Sequence, residues 1–203
     1  MNNAPIFRAS FSVMDAWQSG NYERAIKMYF KLEDFITPAM ADGRTWHKKW
    51  EEHVKATKTM PIEFGGKPLK DPRPEGKKQV HITDWLDLVG VIDCYDKPDI
   101  YEWKTGKQSS EVYANSKQAG TYGVLATMSG LYVEKAHIYH YDQYLKTYEM
   151  STVWLTDKLL KDTLNWIETV GGEMHNYLLE NKLYDQFGAN LLKNGNAPSK
   201  FDN

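Results

Sequence analysis

The sequence predicts an α/β fold in which a central mixed β-sheet is flanked by helices. The stretch from Leu86 to Gly106, in the middle of the chain, has the pattern of two strands joined by a tight turn. Segments with helical periodicity lie before and after it, interspersed with further strand-like segments. Strands and helices in this order form a sheet that is covered by helices.

The composition is that of a globular protein, because 41% of the 203 residues are hydrophobic and 13% are aromatic. This length predicts one domain over residues 1–203, with loose tails at 1–9 and 193–203. No stretch approaches the ~20 apolar residues of a membrane span, and the first residues lack a signal-peptide pattern. The single cysteine, Cys94, excludes an internal disulfide and a cysteine metal cluster. A cytoplasmic location is therefore expected.

Three helices are predicted before the central stretch. The first runs from Ser10 to about Gln18 and ends where Ser-Gly-Asn at 19–21 is typical of a turn. The second has apolar residues on one side, at Tyr22, Ile26, Tyr29 and Phe30. The third begins after Thr37-Pro38, near Asp42, a residue type that is favoured at helix N-caps. Its apolar stripe consists of Trp46, Trp50 and Val54.

The segment from Lys58 to Gly76 is rich in Pro, Gly and Lys, which predicts a loop or a lid. A strand is expected at Lys77–Thr83, leading into the two strands of the central stretch at Leu86–Tyr95 and Ile100–Thr105. These two strands form a hairpin because Asp-Lys-Pro-Asp at 96–99 is typical of a turn.

A helix is predicted over residues 111–129, with a side of small residues at Ala119, Gly123 and Ala126. Two more strands follow at 132–141 and 144–154. Thr156-Asp157 then caps a long final helix, whose apolar residues keep helical period as far as Leu178.

The hairpin contains a candidate metal site. A two-residue or a four-residue loop pairs residues whose numbers sum to 195, which sets Asp93 opposite Glu102. Cβ atoms in such a pair are about 4.5–5.5 Å apart, and two carboxylates that close repel unless a cation lies between them. Lys104 lies on the same strand face as Glu102. The geometry therefore predicts a divalent metal with a lysine beside it, and the alternative is an exposed, salt-bridged hairpin.

The charge distribution offers a weaker indication of the ligand. The net charge is −2, but residues 44–78 contain ten Lys or Arg against five Asp or Glu, whereas residues 134–203 contain seven against ten. A basic region on a near-neutral protein favours a polyanionic partner. Random scatter of surface charge explains the same counts equally well.

Five motifs in a fixed order resemble the active-site series of the PD-(D/E)XK nucleases. Three of them are Gly90-Val-Ile-Asp93, Glu102-Trp-Lys104-Thr-Gly106 and Gln118-x-x-x-Tyr122. Two more, Gly43-Arg-Thr-Trp-His47 and Ser10-Phe-Ser12, are similar to features of the RecB-like exonuclease branch, which is related to CRISPR adaptation nucleases and small viral and mitochondrial exonucleases. The resemblance covers residues 10–155 and implies a restriction-endonuclease-like core. Many relatives bind an iron–sulfur cluster through four cysteines, and this chain, with one, cannot.

The resemblance also implies a role for each motif residue. Asp93, Glu102 and Lys104 would be catalytic, and the metal ligands would be His47, Asp93, Glu102 and the backbone carbonyl of Trp103. Carboxylates suit Mg²⁺, and an imidazole ligand makes Mn²⁺ equally suitable. Gln118 and Tyr122 would position the substrate. The cations expected to contact DNA are Arg44, Lys48 and Lys107.

The function implied by the resemblance is metal-dependent DNA exonuclease activity, with single-stranded ends favoured. The expected setting is recombination or DNA processing in a virus or mobile element, in the host cytoplasm, with a recombination or single-strand-binding protein as a partner. Two alternatives remain open: a DNA-binding module of the same fold that has lost catalysis, and a structure-specific endonuclease. The oligomeric state, the polarity and the tolerance of RNA are left open by the sequence.

Overall fold

The computed structural model describes residues 5–32 and 38–193. The elements in chain order are β1 (Phe7–Ala9), α1 (Phe11–Gln18), α2 (Tyr22–Phe30), α3 (Pro38–Thr57), a 3-10 turn (Ile62–Phe64), β2 (Arg73–Thr83), β3 (Leu86–Asp96), β4 (Asp99–Lys104), α4 (Ser110–Ala114), α5 (Gln118–Met128), β5 (Lys135–Asp142), β6 (Thr147–Trp154), α6 (Asp157–Glu180) and α7 (Leu183–Lys193). None of the helices in this part of the chain is long and apolar enough to cross a membrane.

The described strands form one mixed sheet, as predicted, with six strands instead of the five that the sequence indicates. Its order is β1-β3-β4-β5-β6, and β2 pairs with β3 as well. The β1–β3 and β4–β5 pairs are parallel, whereas β2–β3, β3–β4 and β5–β6 are antiparallel. The helices flank this sheet, which confirms the predicted fold class.

In the described part of the chain, two hydrophobic cores pack against the sheet. The main core joins it to α1, α2, α5 and α6. The second, here called the aromatic core, consists of Trp50, Val54, Met60, Phe64, Cys94, Trp103, Tyr139 and Tyr141. Along β4, Ile100 contributes to the main core and Trp103 to the aromatic core, because successive strand side chains point to opposite faces.

Two elements near the N-terminus differ from the prediction. Residues 7–9 of the expected loose tail form β1, in which Phe7 is fully buried and stacks on Tyr29 at 4.8 Å between ring centroids. A strand of three residues is too short to show a period in the sequence. Helix α3 begins at Pro38 and not near Asp42, since proline lacks the N–H that the first helical residue leaves unpaired.

The predicted helix at 111–129 is two helices, α4 and α5. The hydroxyl of Ser116 donates to the Tyr113 carbonyl and accepts the Gln118 N–H, so it offers the backbone an alternative to a continuous helix. The predicted cap of the final helix is confirmed, because the Thr156 hydroxyl accepts the Leu159 N–H at 3.2 Å. Helix α7 was not predicted, and the expected loose tail beyond Lys193 lies outside the described residues.

Trp50 is the centre of the aromatic core, so we expect Trp50→Ala to lower the free energy of unfolding by about 3–5 kcal/mol. Its ring is fully buried and contacts Phe64 at 4.7 Å and Trp103 at 6.0 Å between centroids. Urea denaturation measures the loss. A matched control is Trp154→Ala, since that ring is exposed on β6, and an equal loss in both variants would contradict the central role of Trp50.

Candidate active site

The candidate site lies where β3 changes its neighbour in the sheet. Strand β1 pairs with β3 at residues 86–88, and β4 pairs with β3 at residues 94–96. The pairing of Cys94 with Tyr101 has the predicted sum of 195, so the hairpin register is confirmed. The next position along both strands, just past the end of this ladder, contains Asp93 and Glu102.

Asp93 of β3 contacts both β4 and α3 through its carboxylate. Its carboxylate is buried and accepts the backbone N–H of Trp103 at 2.8 Å. Its other oxygen is 3.3 Å from Nδ1 of His47. Burial opposes ionisation, but the bond to His47 and the charges of His47 and Lys104 outweigh it and lower the pKa of Asp93. Asp93 is therefore held as a carboxylate.

Glu102 is also buried, but its hydrogen bonds all fall on one of its two oxygens. Lys104 Nζ donates to Oε1 at 2.5 Å, and Gln118 Nε2 donates to the same atom at 2.9 Å. The other oxygen, Oε2, is buried, and no residue in the described part of the chain forms a hydrogen bond with it. A buried carboxylate oxygen without a partner is costly, and coordination to a cation is a usual way of satisfying it.

The charges of the cluster indicate that it would accept more positive charge. Burial and then the charge of Asp93 raise the pKa of Glu102 to about 8, although Lys104 acts in the opposite direction. Burial lowers the pKa of Lys104, but Glu102 and Asp93 outweigh it and the net change is upward. Lys104 is thus a cation and Asp93 a carboxylate, whereas burial and the charge of Asp93 oppose the ionisation of Glu102. A divalent ion would lower the pKa of both carboxyl groups.

His47 reaches this cluster from α3. The helix comes close to the end of β4 at Gly43, where a Cβ atom would lie only 3.2 Å from the hydroxyl of Thr105. One turn further, the His47 ring lies 5.8 Å from the ring of buried Trp50, which anchors the helix in the aromatic core. Asp93 and Glu102 overcome the effect of burial and raise the pKa of His47. The structure thus brings His47 to Asp93, as the motif order suggested.

The residues fit a divalent ion in chemistry, although they are not already arranged as a complete ligand set. Over residues 5–32 and 38–193, no three His, Cys, Asp or Glu side chains are gathered closely enough to hold a metal. In this arrangement Asp93 forms an ion pair with His47, and Glu102 forms an ion pair with Lys104. Binding would therefore replace the His47–Asp93 contact, and the buried Oε2 of Glu102 would provide a further ligand.

Gln118 and Tyr122 lie on α5 behind Glu102. Gln118 Nε2 contacts the Tyr122 hydroxyl at 3.1 Å as well as Glu102. The helix approaches β3 closely because of Gly90, where a Cβ atom would lie 2.9 Å from Leu125 and 3.4 Å from the Tyr122 ring. In the structure, Gln118 thus contacts Glu102 directly, and Tyr122 contacts Gln118.

An open groove of about 750 Å³ leads to the cluster. Two of the cations expected to bind DNA, Arg44 and Lys48, are exposed along it, and the half-buried His47 and Lys104 line it as well. The third, Lys107, does not line this groove and lies in a neighbouring cleft of about 290 Å³. Tyr113 was not among the predicted site residues, yet its ring lies in the groove 5.4 Å from Lys104 Nζ. It is nine residues from Lys104 and on another element, so no local pattern indicated it.

The segment 58–76 does not form a free lid. Met60 and Phe64 are buried in the aromatic core, and Phe64 contacts Trp50. Thr59 forms a bridge with Pro68, and β2 already begins at Arg73. The composition correctly indicated a loop but could not show that its apolar residues anchor it to the sheet.

Solved structures of similar fold include exonucleases. The alkaline exonuclease LHK-Exo from Laribacter hongkongensis aligns over 89% of this chain and 95% of its own, with 13% identity and a TM-score of 0.56. LHK-Exo in complex with dAMP aligns over 91% and 93%, with 10% identity and a TM-score of 0.53. A candidate exonuclease from Eubacterium rectale aligns over 86% and 82%, with 12% identity and a TM-score of 0.57.

These alignments extend over most of each chain and show a shared fold. The sequence itself matches no family model and none of the curated proteins. Identity of 10–13% establishes a shared fold but not a shared activity. The chemistry of this chain therefore depends on the residues of its own site.

Proposed function

We propose that this protein is a divalent-metal-dependent deoxyribonuclease that degrades DNA from single-stranded ends. The observation that carries the proposal is the meeting of Asp93, Glu102, Lys104 and His47 in one cluster. Oε2 of Glu102 is buried there without a hydrogen-bond partner among residues 5–32 and 38–193. The exonucleases of similar fold support the same reaction class. The setting in viral or mobile-element recombination, and a recombination or single-strand-binding partner, stay predictions from the sequence.

Each residue has a distinct task in phosphodiester hydrolysis. Mg²⁺ or Mn²⁺ would be held by Asp93, Glu102, His47 and the backbone carbonyl of Trp103. When bound, the ion supplies an acidified water and neutralises phosphate charge. Lys104 carries a positive charge at the wall of the groove, where it stabilises the charge that develops on the phosphate. Gln118 holds the Glu102 carboxylate in place through its 2.9 Å hydrogen bond.

The test uses fluorescently labelled linear single-stranded DNA and protein freed of metal with EDTA. We expect no degradation in EDTA and stepwise shortening after Mn²⁺ or Mg²⁺ is added. Glu102→Gln, which keeps the size of the side chain but removes its charge, should be inactive and still bind DNA. Binding by the wild type without cleavage at any metal concentration would indicate the non-catalytic module. Rapid cutting of circular single-stranded DNA would indicate an endonuclease.

The exposed cations of the groove should contribute salt-dependent affinity. We expect the double variant Arg44→Ala/Lys48→Ala to bind single-stranded DNA more weakly in EDTA. The slope of log affinity against log salt should become shallower by about one to two, because binding releases fewer counterions when fewer phosphates are contacted. Fluorescence anisotropy at several salt concentrations measures the slope. The matched control is Lys158→Ala/Lys161→Ala on α6. If the slope changes equally in both double variants, Arg44 and Lys48 are not specific DNA contacts.

A further inference from the structure

Strand β6 presents a row of exposed side chains that the proposed chemistry does not use. Side chains of alternate residues share a face, and on one face Tyr148, Met150 and Trp154 are 44%, 48% and 61% exposed. Tyr148 and Trp154 are six residues apart, which is ~20 Å along a strand. Together with Lys135 and Tyr139 of β5, these side chains are here called the aromatic band.

The band is held in place by the strands and the loop beside it. Trp154 pairs with Lys135, whose Nζ lies 4.3 Å from the centre of the indole ring, and Met150 pairs with Tyr139. The Tyr148 ring lies 6.0 Å from the Tyr139 ring and 6.0 Å from the Phe64 ring. The rings are thus supported from behind while their outer faces remain in solvent.

The band continues towards the catalytic groove. Tyr148 borders the 290 Å³ cleft that also contains Lys107. Lys107 follows Gly106, which lines the groove beside Lys104. His140, in the same cleft, donates from Nε2 to the Gly106 carbonyl at 2.6 Å and fixes this connection. Gly106 and Lys107 thus connect the groove to the cleft, and Tyr148 connects the cleft to the band at the end of β6.

The charges along this path favour a polyanion. Lys107 and Lys146 are exposed near its start, and Lys135 lies at its far end. Carboxylates beside it form local contacts: Glu149 and Asp142 line the cleft and accept the Ser110 N–H at 2.7 Å and the Tyr144 N–H at 2.8 Å, and Asp99 lies 3.2 Å from His137 Nε2. The basic segment 44–78 adjoins the band through Phe64.

We propose that single-stranded DNA entering or leaving the groove passes over Lys107 and lies along the aromatic band, with bases stacked on Tyr148 and Trp154. Exposed aromatic rings interleaved with lysines are the usual platform for single-stranded nucleic acid, because every base has a face that can stack. This inference rests on the proposed function, to which it adds a binding track and a reason for the preference for single strands. Duplex DNA keeps its bases stacked internally and gains little from such a platform.

A second copy of this chain is the main competing occupant, since β6 is an edge strand whose outer backbone groups could pair with another strand. The path from the groove and the flanking lysines favour DNA. In a dimer through β6, Lys107, Lys135 and Lys146 of the two copies would repel each other.

The test measures binding of the metal-free full chain to a fluorescein-labelled 20-nucleotide oligothymidylate by anisotropy. Trp154→Ala is expected to weaken binding at least about fivefold, and Trp154→Phe, which keeps a ring, to restore most of it. Tyr22→Ala is the control, because Tyr22 is 53% exposed on α2 and belongs to the main-core side. Ultraviolet cross-linking of an iododeoxyuridine oligonucleotide should label the peptides that contain Tyr148 or Trp154.

Unchanged affinity in Trp154→Ala, or cross-links confined to α3, would overturn the proposal. So would a wild-type dimer in sedimentation that Trp154→Ala converts to a monomer without loss of oligonucleotide affinity, since the band would then be a contact between copies. Melting temperatures verify that the variants are folded, and Trp154→Phe remains informative if the alanine variant is not. Failure of the proposed function is seen separately, as absence of cleavage by the wild type with Mn²⁺.

Discussion

Lys104→Ala is expected to lower the rate of DNA cleavage by about 10²–10³-fold, which is the usual effect of removing one group that stabilises transition-state charge. The Lys104 ammonium lies between the Glu102 carboxylate, at 2.5 Å, and the Tyr113 ring, at 5.4 Å. Glu102 and Asp93 raise the pKa of Lys104 in spite of its burial, so the ammonium is charged at neutral pH. Alanine removes that charge at the point where the groove meets the carboxylates.

The chain should nevertheless stay folded. Lys104 is the last residue of β4 and belongs to neither hydrophobic core. Glu102, whose pKa is already raised to about 8, can take up a proton when its partner is lost. The variant is assayed at saturating DNA and Mn²⁺, with melting followed by circular dichroism. Lys97→Ala, in the turn of the same hairpin, is the control, and a Lys104→Ala rate close to wild type would refute the mechanism.

The hairpin could be predicted from the sequence because everything that determines it is local. A turn at 96–99 between two apolar runs fixes the register, and the register fixes which residues stand near each other. The proximity of Asp93 and Glu102 follows from that alone. The identity of Lys104 as their neighbour follows from strand alternation.

The surroundings of the hairpin depend on tertiary approach, which no local pattern contains. Gln118 reaches Glu102 only because Gly90 admits α5 close to β3. Tyr113 lies on α4, and its ring contacts Lys104. The sequence pattern predicts a single helix here and does not show that the Ser116 hydroxyl separates α4 from α5. Family resemblance supplied the order of the motifs and so the place of His47, but not these contacts.

The same limit explains the elements whose boundaries were wrong. Strand β1 is three residues long, and it forms because Phe7, which pairs with Leu86 of β3, is buried in the main core. The segment 58–76 is rich in loop-forming residues, yet Met60 and Phe64 give it a hydrophobic anchor. In both cases one or two buried side chains outweigh the composition of the segment.

His47→Ala is expected to lower Mn²⁺ affinity by more than about 100-fold, because loss of a group that merely orients a metal ligand already costs about 10–100-fold. Cleavage should fall with it. Metal-free stability should change little, since Asp93 keeps the 2.8 Å hydrogen bond from the Trp103 N–H. The loss of one hydrogen bond of about 1 kcal/mol corresponds to a fall in melting temperature of about 2–4 °C for a chain of this size.

Isothermal titration of EDTA-treated protein with MnCl₂ measures the affinity, and the melting temperature is taken in metal-free buffer. The matched control is His53→Ala, because His53 lies on the same helix and is hydrogen-bonded to Thr59 at 3.0 Å, away from the carboxylates. A histidine beside an apolar stripe is more often a packed structural residue, and that role predicts the reverse result. If His47→Ala unfolds without metal, or binds Mn²⁺ as the wild type does, His47 serves Asp93 as a structural partner. The metal site would then consist of Asp93, Glu102 and backbone oxygen alone.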